Sequence, residues 1–310
     1  MSSEIQVEAL NISIEKGTVK KPVNEVLVTN LGFENDAHAG AWHRQVSLLS
    51  AEDVEQFAQS ANREMAWGEF AENITTRGLD LSQVAVLDRL VFGDVELEIT
   101  QIGKACHHGC EIFQEVGACI MPKQGLFARV INGGKLHTGM SGTWIPRKTK
   151  ILIITLSDRA YQGIYEDKSG PTIEQILEEN FGPKRDHQEI TRLIIPDDPD
   201  KLIETINAAV ADETDLIITT GGTGLGPRDF TPDVTGKLLE KNLTGFMEHI
   251  RLKYGAKKTA ALLSRGVAGT IKRSFIMNMP GSVRAVTEYT NELLPIWDHI
   301  KRMIHSIDHH

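Results

Sequence analysis

The sequence predicts two domains of different fold class: a β-rich barrel or folded sheet in the first half, and a doubly wound α/β sheet in the second. Three observations carry this. The chain has 310 residues, enough for about two ordinary domains. Up to about residue 145, short alternating runs are punctuated by glycine, the grammar of many short strands. Beyond that point, continuous apolar runs alternate with amphipathic segments, as in a parallel sheet with crossover helices.

In the first half, "QVEALNISIE" alternates, with Val7, Ala9, Ile12 and Ile14 as its apolar positions. "NEVLVTNLG", "DRLVFGDVELEITQIG" and "FARVINGGKLHTGMSGTWIP" are further strand-like runs. Only "SAEDVEQFAQSANR" reads as a helix: Ser50 caps it, Glu52 and Asp53 sit in its first turn, and Val54, Phe57 and Ala58 mark one face. "IPRKTK" is the linker candidate, placing the domains at 1–146 and 150–310. Its reach is on the order of 15 Å even when extended.

In the second half, "ILIITLS", "EITRLIIP", "DLIITTGG" and "SFIMNMPG" read as strands. "GPTIEQILEENFG" reads as a helix stopped by Gly182 and Pro183, and "PDKLIETINAAVADE" as another. "TPDVTGKLLEKN" is a third, with Thr231 as N-cap and Pro232 at the first helical position. "SVRAVTEYTNELLPIWDHIKRMI" forms one or two more.

Composition narrows the function. A 41% apolar and 24% charged chain is typical of a globular protein. The net charge of −9 argues against nucleic-acid partners, though not against a local anion pocket. No run approaches the ~18 apolar residues of a membrane span, and no signal-peptide run opens the chain. Three clustered cysteines do not form a disulfide framework and point to reducing surroundings. A cytoplasmic protein is therefore expected.

The most informative stretch is "LIITTGGTGLGPRDFTPD". A buried strand runs into Gly221, Gly222, Gly224 and Gly226, and a helix follows. At the carboxyl end of a parallel strand, such glycines let backbone N–H groups approach a phosphate. No lysine follows Gly226, so this is not a Walker loop; Pro227 stands where the dinucleotide fingerprint needs its third glycine. Arg228 suits bidentate pairing with a phosphate or carboxylate, and Asp229 suits Mg²⁺ or a donor. A structural glycine turn with a surface Arg–Asp pair is the plain alternative.

This stretch resembles the signature of the MogA/MoaB family of molybdenum-cofactor biosynthesis proteins, shared with the gephyrin G domain. "TLSDRAYQGIYEDKSGP" is similar to the family's first loop, "IIPDD" to its Pro-Asp-Asp strand end, "LLSR" to its serine–arginine element and "NMPG" to its last strand–turn. The resemblance covers Lys150 to about Met303. It implies molybdopterin adenylyltransferase activity, in which AMP passes from ATP to the terminal phosphate of molybdopterin with Mg²⁺ and release of pyrophosphate. By resemblance, Asp197 and Asp229 are the catalytic aspartates and Mg²⁺ ligands. Gly221, Gly222, Thr223 and Gly224 cradle phosphate, and Ser157, Asp158, Ser169, Gly170 and Arg228 line the nucleotide crevice. Ser264 and Arg265 match the pterin-side serine and its neighbour. Asp198 is either part of this motif or a helix cap. The family implies a homotrimer.

"CHHGCEIFQEVGAC" holds all three cysteines, Cys106, Cys110 and Cys119. Their C-x₃-C-x₈-C spacing lacks the second close pair that structural zinc prefers. Zinc or iron–sulfur binding, inert buried thiols and a functional thiol all stand on the residues alone. The flanks "NDAHAGAWHRQVSLLSAE", "AENITTRGLDL", "ITQIGKACHHGCEI" and "GLFARVINGGKLHTG" resemble, in order, the MOSC domain, a β-rich barrel associated with molybdenum-cofactor binding or sulfur carriage. By that resemblance Cys110 is the functional cysteine, its pKa lowered by His107, His108 and Lys104. Cys106 is a second, resolving thiol and Cys119 is structural. His38, His43 and Arg44 are expected to meet cofactor. The sequence departs from the MOSC pattern at "CHHG" and at Gly139–Met140. The leading expectation is a bifunctional molybdenum-cofactor protein, with molybdoenzymes as recipients. The alternatives are a non-catalytic carrier of the cofactor or pterin, and a generic nucleotide-dependent enzyme.

Overall fold

The computed structural model describes residues 4–103, 119–181 and 187–307. Lys104, Cys106, His107, His108 and Cys110 lie outside the described residues, as do Gly182 and Pro183. The chain divides into two compact units, Met1–Arg147 and Lys148–His310.

The strands of the first unit are β1 (Glu4–Ile12), β2 (Lys21–Val23), β3 (Glu25–Thr29), β4 (Gly32–Phe33), β5 (Val46–Ser50), β6 (Ile74–Arg77), β7 (Arg89–Phe92), β8 (Val95–Ile102), β9 (Leu126–Asn132), β10 (Gly134–His137) and β11 (Ser141–Ile145). Seven of them close a barrel in the order β11-β7-β8-β9-β5-β6-β1, and β1 returns to β11 through pairs such as Ile5 with Gly142. Closure leaves these strands without an open edge. Val7, Leu10, Leu48, Ile74, Leu97 and Ile99 are among the residues that fill the interior. β10, β3 and β4 make a small separate sheet. The helix Ala51–Ala61 is capped as predicted, with the Asp53 N–H donating to Ser50 Oγ at 3.0 Å. Its Val54 packs with Leu49, Phe70 and Phe127, and partly buried Cys119 joins that cluster.

Two readings of this half need correcting. Ile14 is 91% exposed rather than inward. A bulge at Val7–Ala9 shifts the register of β1 against β6, so Val7 and Leu10 share the core face and simple alternation fails. "PRKTK" is also not a free linker. β11 ends at Ile145 and β12 starts at Lys148, with the Arg147 N–H donating to buried Asp88. Lys148 and Lys150 are charged yet extended because they pair with Glu189 and Asp212, while Thr149 between them points inward.

The second unit contains β12 (Lys148–Leu156), β13 (His187–Ile195), β14 (Leu216–Thr220), β15 (Lys241–Asn242), β16 (Ala268–Ile271) and β17 (Ser274–Met279). Their order is β13-β12-β14-β17-β16-β15. The first four run parallel, and β16 is antiparallel to β17. Alternate side chains of the central strands serve opposite faces. Ile151, Ile153 and Leu216 meet Ile173 and Leu177 of helix Ser169–Phe181 and Val286 and Trp297 of helix Val283–Ile304. Leu152, Ile154 and Ile217 meet Leu202 and Ile206 of helix Pro199–Ala211. The strand order reverses at β12, so the carboxyl ends of β12 and β14 open a crevice, the usual ligand position in such sheets. The last helix is single despite Pro295. No helix among the described residues is long and apolar enough to cross a membrane.

Candidate functional site

The glycine loop starts where β14 ends. Gly221 and Gly222 have φ of 105° and 62°, which L side chains rarely adopt. A Cβ on Gly221 would lie 2.5 Å from the Leu156 carbonyl oxygen, and one on Gly222 2.4 Å from Thr231 Oγ1. The turn is thus wedged between the end of β12 and the start of helix Thr231–Leu238. Thr231 is not the N-cap of that helix. It is the first helical residue, with Phe230 before it and no side-chain cap. Its N–H donates to the Gly222 carbonyl at 3.2 Å, and its buried hydroxyl accepts and donates no hydrogen bond.

Arg265 holds this loop. Its N–H donates to the Thr223 carbonyl at 2.9 Å, and its Nε to the Gly224 carbonyl at 2.7 Å. Its two terminal nitrogens grip both oxygens of Asp233, each at 2.9 Å, and one also bonds the Asp229 carbonyl. The guanidinium is therefore engaged with protein, and its hydrogen bonds hold the Asp233 carboxyl below the usual carboxylate range. Asp229 turns into its own loop, where its Oδ2 accepts the Gly226 N–H at 2.7 Å. A Cβ on Gly224 or Gly226 would sit 2.9 Å from that oxygen, so a side chain at either position would displace the Asp229 carboxylate. By contrast, Arg228 is 80% exposed, with Nη1 3.6 Å from Asp158 Oδ2.

Across the crevice, Asp158 and Asp197 interlock. Asp158 Oδ1 accepts the Asp197 N–H at 2.9 Å, and Asp197 Oδ2 accepts the Asp158 N–H at 3.2 Å. The ends of β12 and β13 are thereby tied together by two carboxylates. Asp197 Oδ1 and Asp229 Oδ1 accept no hydrogen bond among the described residues. One open oxygen on each fits Mg²⁺, which takes one or two carboxylates and fills its shell with water and substrate phosphate. No group of three or more His, Cys, Asp or Glu converges as a metal cage among the described residues. Ser157 caps the short turn Asp158–Tyr161 through the Ala160 N–H. Asp198 is a cap as well, accepting from the N–H groups of Asp200 and Lys201.

Ser169 and Gly170 are organised by Asp167, a residue outside the predicted site. Asp167 Oδ1 accepts from the Ser169 N–H, the Ser169 hydroxyl and the Gly170 N–H at 2.9, 3.0 and 3.2 Å, and its Oδ2 accepts from Thr155 Oγ1 at 2.8 Å. The signal was present: an aspartate two residues ahead of a helix start is a capping arrangement.

A cavity of about 230 Å³ adjoins the loop, with Thr223, Gly224, Tyr254, Lys258, Ser264 and Tyr289 among its lining. A larger one of about 540 Å³ lies between β12, β13 and helix Pro199–Ala211, but it touches neither the glycine loop nor Asp158 and Asp197. The smaller cavity is the one that sits with the site.

In the first unit, His38 joins a buried constellation that sequence reasoning missed. Lys20 and Asp36 pair with both side chains fully buried. Lys20 Nζ lies 3.3 Å from His38 Nδ1 and the His38 N–H donates to Asp36 Oδ1 at 3.0 Å. Burial raises the Asp36 carboxyl, yet its bonds to His38 and Lys20 outweigh that and hold it well below the usual range. The Trp42 indole N–H donates to the His38 carbonyl at 2.8 Å. Arg44 lies 4.8 Å from the Trp42 ring, Lys16 5.8 Å from the same ring, and the buried Arg44 Nε has no hydrogen bond. The His43 carbonyl accepts from Thr100 Oγ1 at 2.5 Å. His38, Trp42 and Arg44 are therefore linked, the Trp42 indole to the His38 carbonyl and its ring to the Arg44 guanidinium.

Comparison with known proteins agrees with this division. Residues 152–299 match the model of a probable molybdopterin binding domain, and residues 35–143 that of the MOSC domain. A molybdopterin adenylyltransferase of Helicobacter pylori is 39% identical over 146 residues, which are 46% of this chain and 80% of that protein. The Drosophila melanogaster molybdenum cofactor synthesis protein cinnamon is 33% identical over 153 residues, 49% of this chain and 25% of that one. A molybdenum cofactor biosynthesis bifunctional protein of Synechococcus elongatus is 34% identical over 157 residues, 51% of this chain and 48% of that one. The chain belongs to the molybdopterin adenylyltransferase family of molybdenum-cofactor biosynthesis proteins and carries a MOSC domain ahead of that part.

Proposed function

We propose that residues 150–310 transfer AMP from ATP to molybdopterin, and that residues 1–146 bind molybdenum cofactor or its precursor, or carry sulfur for it. The observation that supports the first part most is the glycine loop beside the Asp158–Asp197 pair, in a family whose Helicobacter member bears that activity in its name. A terminal phosphate oxygen of molybdopterin attacks the α-phosphorus of ATP. A new P–O–P link forms, the α–β link breaks, and pyrophosphate leaves with its electron pair. Both partners are anionic, so positioning and charge neutralisation carry the catalysis. Gly221, Gly222, Thr223 and Gly224 offer backbone N–H groups to phosphate. Ser157, Asp158, Ser169 and Gly170 shape the facing wall, and exposed Arg228 swings from Asp158 onto phosphate. Asp197 and Asp229 would hold Mg²⁺, which would neutralise charge on the reacting phosphates. Arg265 acts by holding the loop, while Ser264 faces the pterin side. The active assembly is a homotrimer working in the cytoplasm. In the first unit, the linked His38, Trp42 and Arg44, together with Cys110, meet the cofactor.

The test incubates the full chain with molybdopterin, ATP and Mg²⁺. Adenylylated molybdopterin and pyrophosphate are expected, and Asp197→Ala abolishes both while keeping molybdopterin binding. A wild-type protein that holds molybdopterin tightly and yields neither product is a carrier, and the proposal fails.

A further inference from the structure

Asp233 sits in the first turn of helix Thr231–Leu238, a position that the sequence assigns no part in the site. Its two carboxylate oxygens receive the two terminal nitrogens of Arg265, each at 2.9 Å, across 32 positions of chain. Such two-point pairing fixes the plane of the guanidinium as well as its place. The rest of Arg265 converts that plane into loop shape. Its N–H donates to the Thr223 carbonyl at 2.9 Å, its Nε to the Gly224 carbonyl at 2.7 Å, and one terminal nitrogen also to the Asp229 carbonyl. Three carbonyls of the glycine loop therefore turn toward one residue.

In a trans peptide the carbonyl and the following N–H point in opposite directions, and no peptide bond among the described residues is cis. Turning the Thr223, Gly224 and Asp229 carbonyls toward Arg265 thus turns the N–H groups of Gly224, Leu225 and Phe230 away from it. None of these three N–H groups donates to a protein acceptor among the described residues. The Leu225 side chain is 70% exposed, so this part of the loop is open to solvent. Successive N–H groups presented together make an anion-binding concavity. The guanidinium keeps its place only while its counter-charge does. Arg265 also feels the Asp229 carboxylate. Without Asp233 its fork would turn to that group, one of the two candidate Mg²⁺ ligands, and release the carbonyls.

Resting on the adenylyltransferase reading, we infer that Asp233 is a positioning residue: by clamping Arg265 it holds the peptide planes of the loop so that the Gly224 and Leu225 N–H groups meet the phosphates of ATP. It touches no substrate itself. A carboxylate in a first helical turn also stabilises the helix start on its own, but that role needs no arginine, and the difference is measurable.

The experiment uses the full chain as wild type, Asp233→Asn, Asp233→Glu, Arg265→Lys and the double variant Asp233→Asn with Arg265→Lys. Kd for ATP in the presence of Mg²⁺ and the melting temperature without ligand are measured. Asp233→Asn should bind ATP about three- to tenfold more weakly. Asp233→Glu still offers two oxygens to the fork and should recover most of that loss. Lysine has no fork, so adding Asp233→Asn to Arg265→Lys should cost little more. Both side chains of the pair are partly exposed and add little to stability, so melting temperatures should not follow the order of affinities. The same loss from Asp233→Asn with and without Arg265 would show the helix-start role and overturn the inference. Unchanged ATP affinity in Asp233→Asn, no recovery in Asp233→Glu, or melting temperatures that track the affinities would overturn it too. Because binding is read apart from transfer, a wild type that binds ATP and transfers no AMP sinks the proposed function while the test of Asp233 stands; a wild type that binds no ATP overturns both.

Discussion

Glu72 is fully buried beneath the turn that carries the backbone of Lys20. Its Oε1 accepts the Gly68 N–H at 2.5 Å and the Thr75 hydroxyl at 3.2 Å, while its Oε2 has no partner. The Gly68 carbonyl in turn accepts the Lys20 N–H. Burial raises this carboxyl from 4.5 to about 7, against the pull of its hydrogen bonds. Below pH 4.5 the folded and unfolded chains both hold the proton, and the stability it confers is complete. Between 4.5 and about 7 the unfolded chain loses the proton first, so stability falls as pH rises, reaching a deficit of about 3 kcal/mol above pH 7. Glu72→Gln cannot ionise and should remove that slope. Its amide leaves two buried N–H donors unpaired, a roughly constant cost of about 1–3 kcal/mol or more at every pH. The shape of the curve therefore decides the matter, not its height. Denaturant unfolding should be followed from pH 4.5 to 8.5 through Trp42, Trp67 and Trp144, which lie in the first unit. The wild-type minus variant difference should shift in the variant's favour by about 3 kcal/mol across that range. Parallel curves would show that Glu72 is ionised throughout, with its charge met by the backbone N–H groups around it and the Thr75 hydroxyl.

Two further outcomes follow from the two units. Gly222→Ala meets both a left-handed φ and the Thr231 hydroxyl at 2.4 Å, so it should lose about 2–3 kcal/mol of stability and AMP transfer should fall at least about a hundredfold. Gly163→Ala, at φ 71° in open space, carries only the backbone cost and is the control; equal losses in denaturation and transfer assays would refute the wedge. In the first unit, Cys110→Ala should abolish cofactor retention or persulfide formation. Cys119→Ala should keep both, because Cys119 packs with Leu49, Val54 and Phe70; mass spectrometry of the persulfide and cofactor retained after gel filtration read the two apart.

What the sequence carried well is local. Strand and helix periods of the second unit, the Ser50 cap and the turn at Gly221–Gly222 each depend on residues a few positions apart, where side-chain period and φ preference are decided. What it hid is long-range. Barrel closure pairs Ile5 with Gly142, and nothing in either segment's period announces the other. The bulge at Val7–Ala9 is set by pairing of β1 with β6, and Ile14 lies past the end of β1. Lys20 and Asp36 look like surface charges one at a time; only the fold brings them together out of water, where each depends on the other. "RKTK" looked like a linker because four polar residues in a row usually are, but partners on β13 and at the end of helix Pro199–Ala211 meet its lysines.

Arg265 shows the same limit inside the site, and it also shows why the segment "LLSR" matters. Read as a motif, its arginine is a natural phosphate ligand. In the fold its donors are taken by Gly224, Asp229 and Asp233, residues 32 to 41 positions away. The neighbouring Ser264 lines the adjoining cavity, with its hydroxyl oxygen buried. Under the proposed function, two successive residues serve the two partners of one reaction: Arg265 sets the shape of the loop offered to phosphate, and Ser264 lies on the pterin side. Since Arg265 N–H also bonds the Thr223 carbonyl, a shift of this segment moves loop and cavity wall together. Under the proposed transfer, positioning of both substrates rests on one short stretch of backbone, as a reaction driven mainly by placing two anions side by side requires.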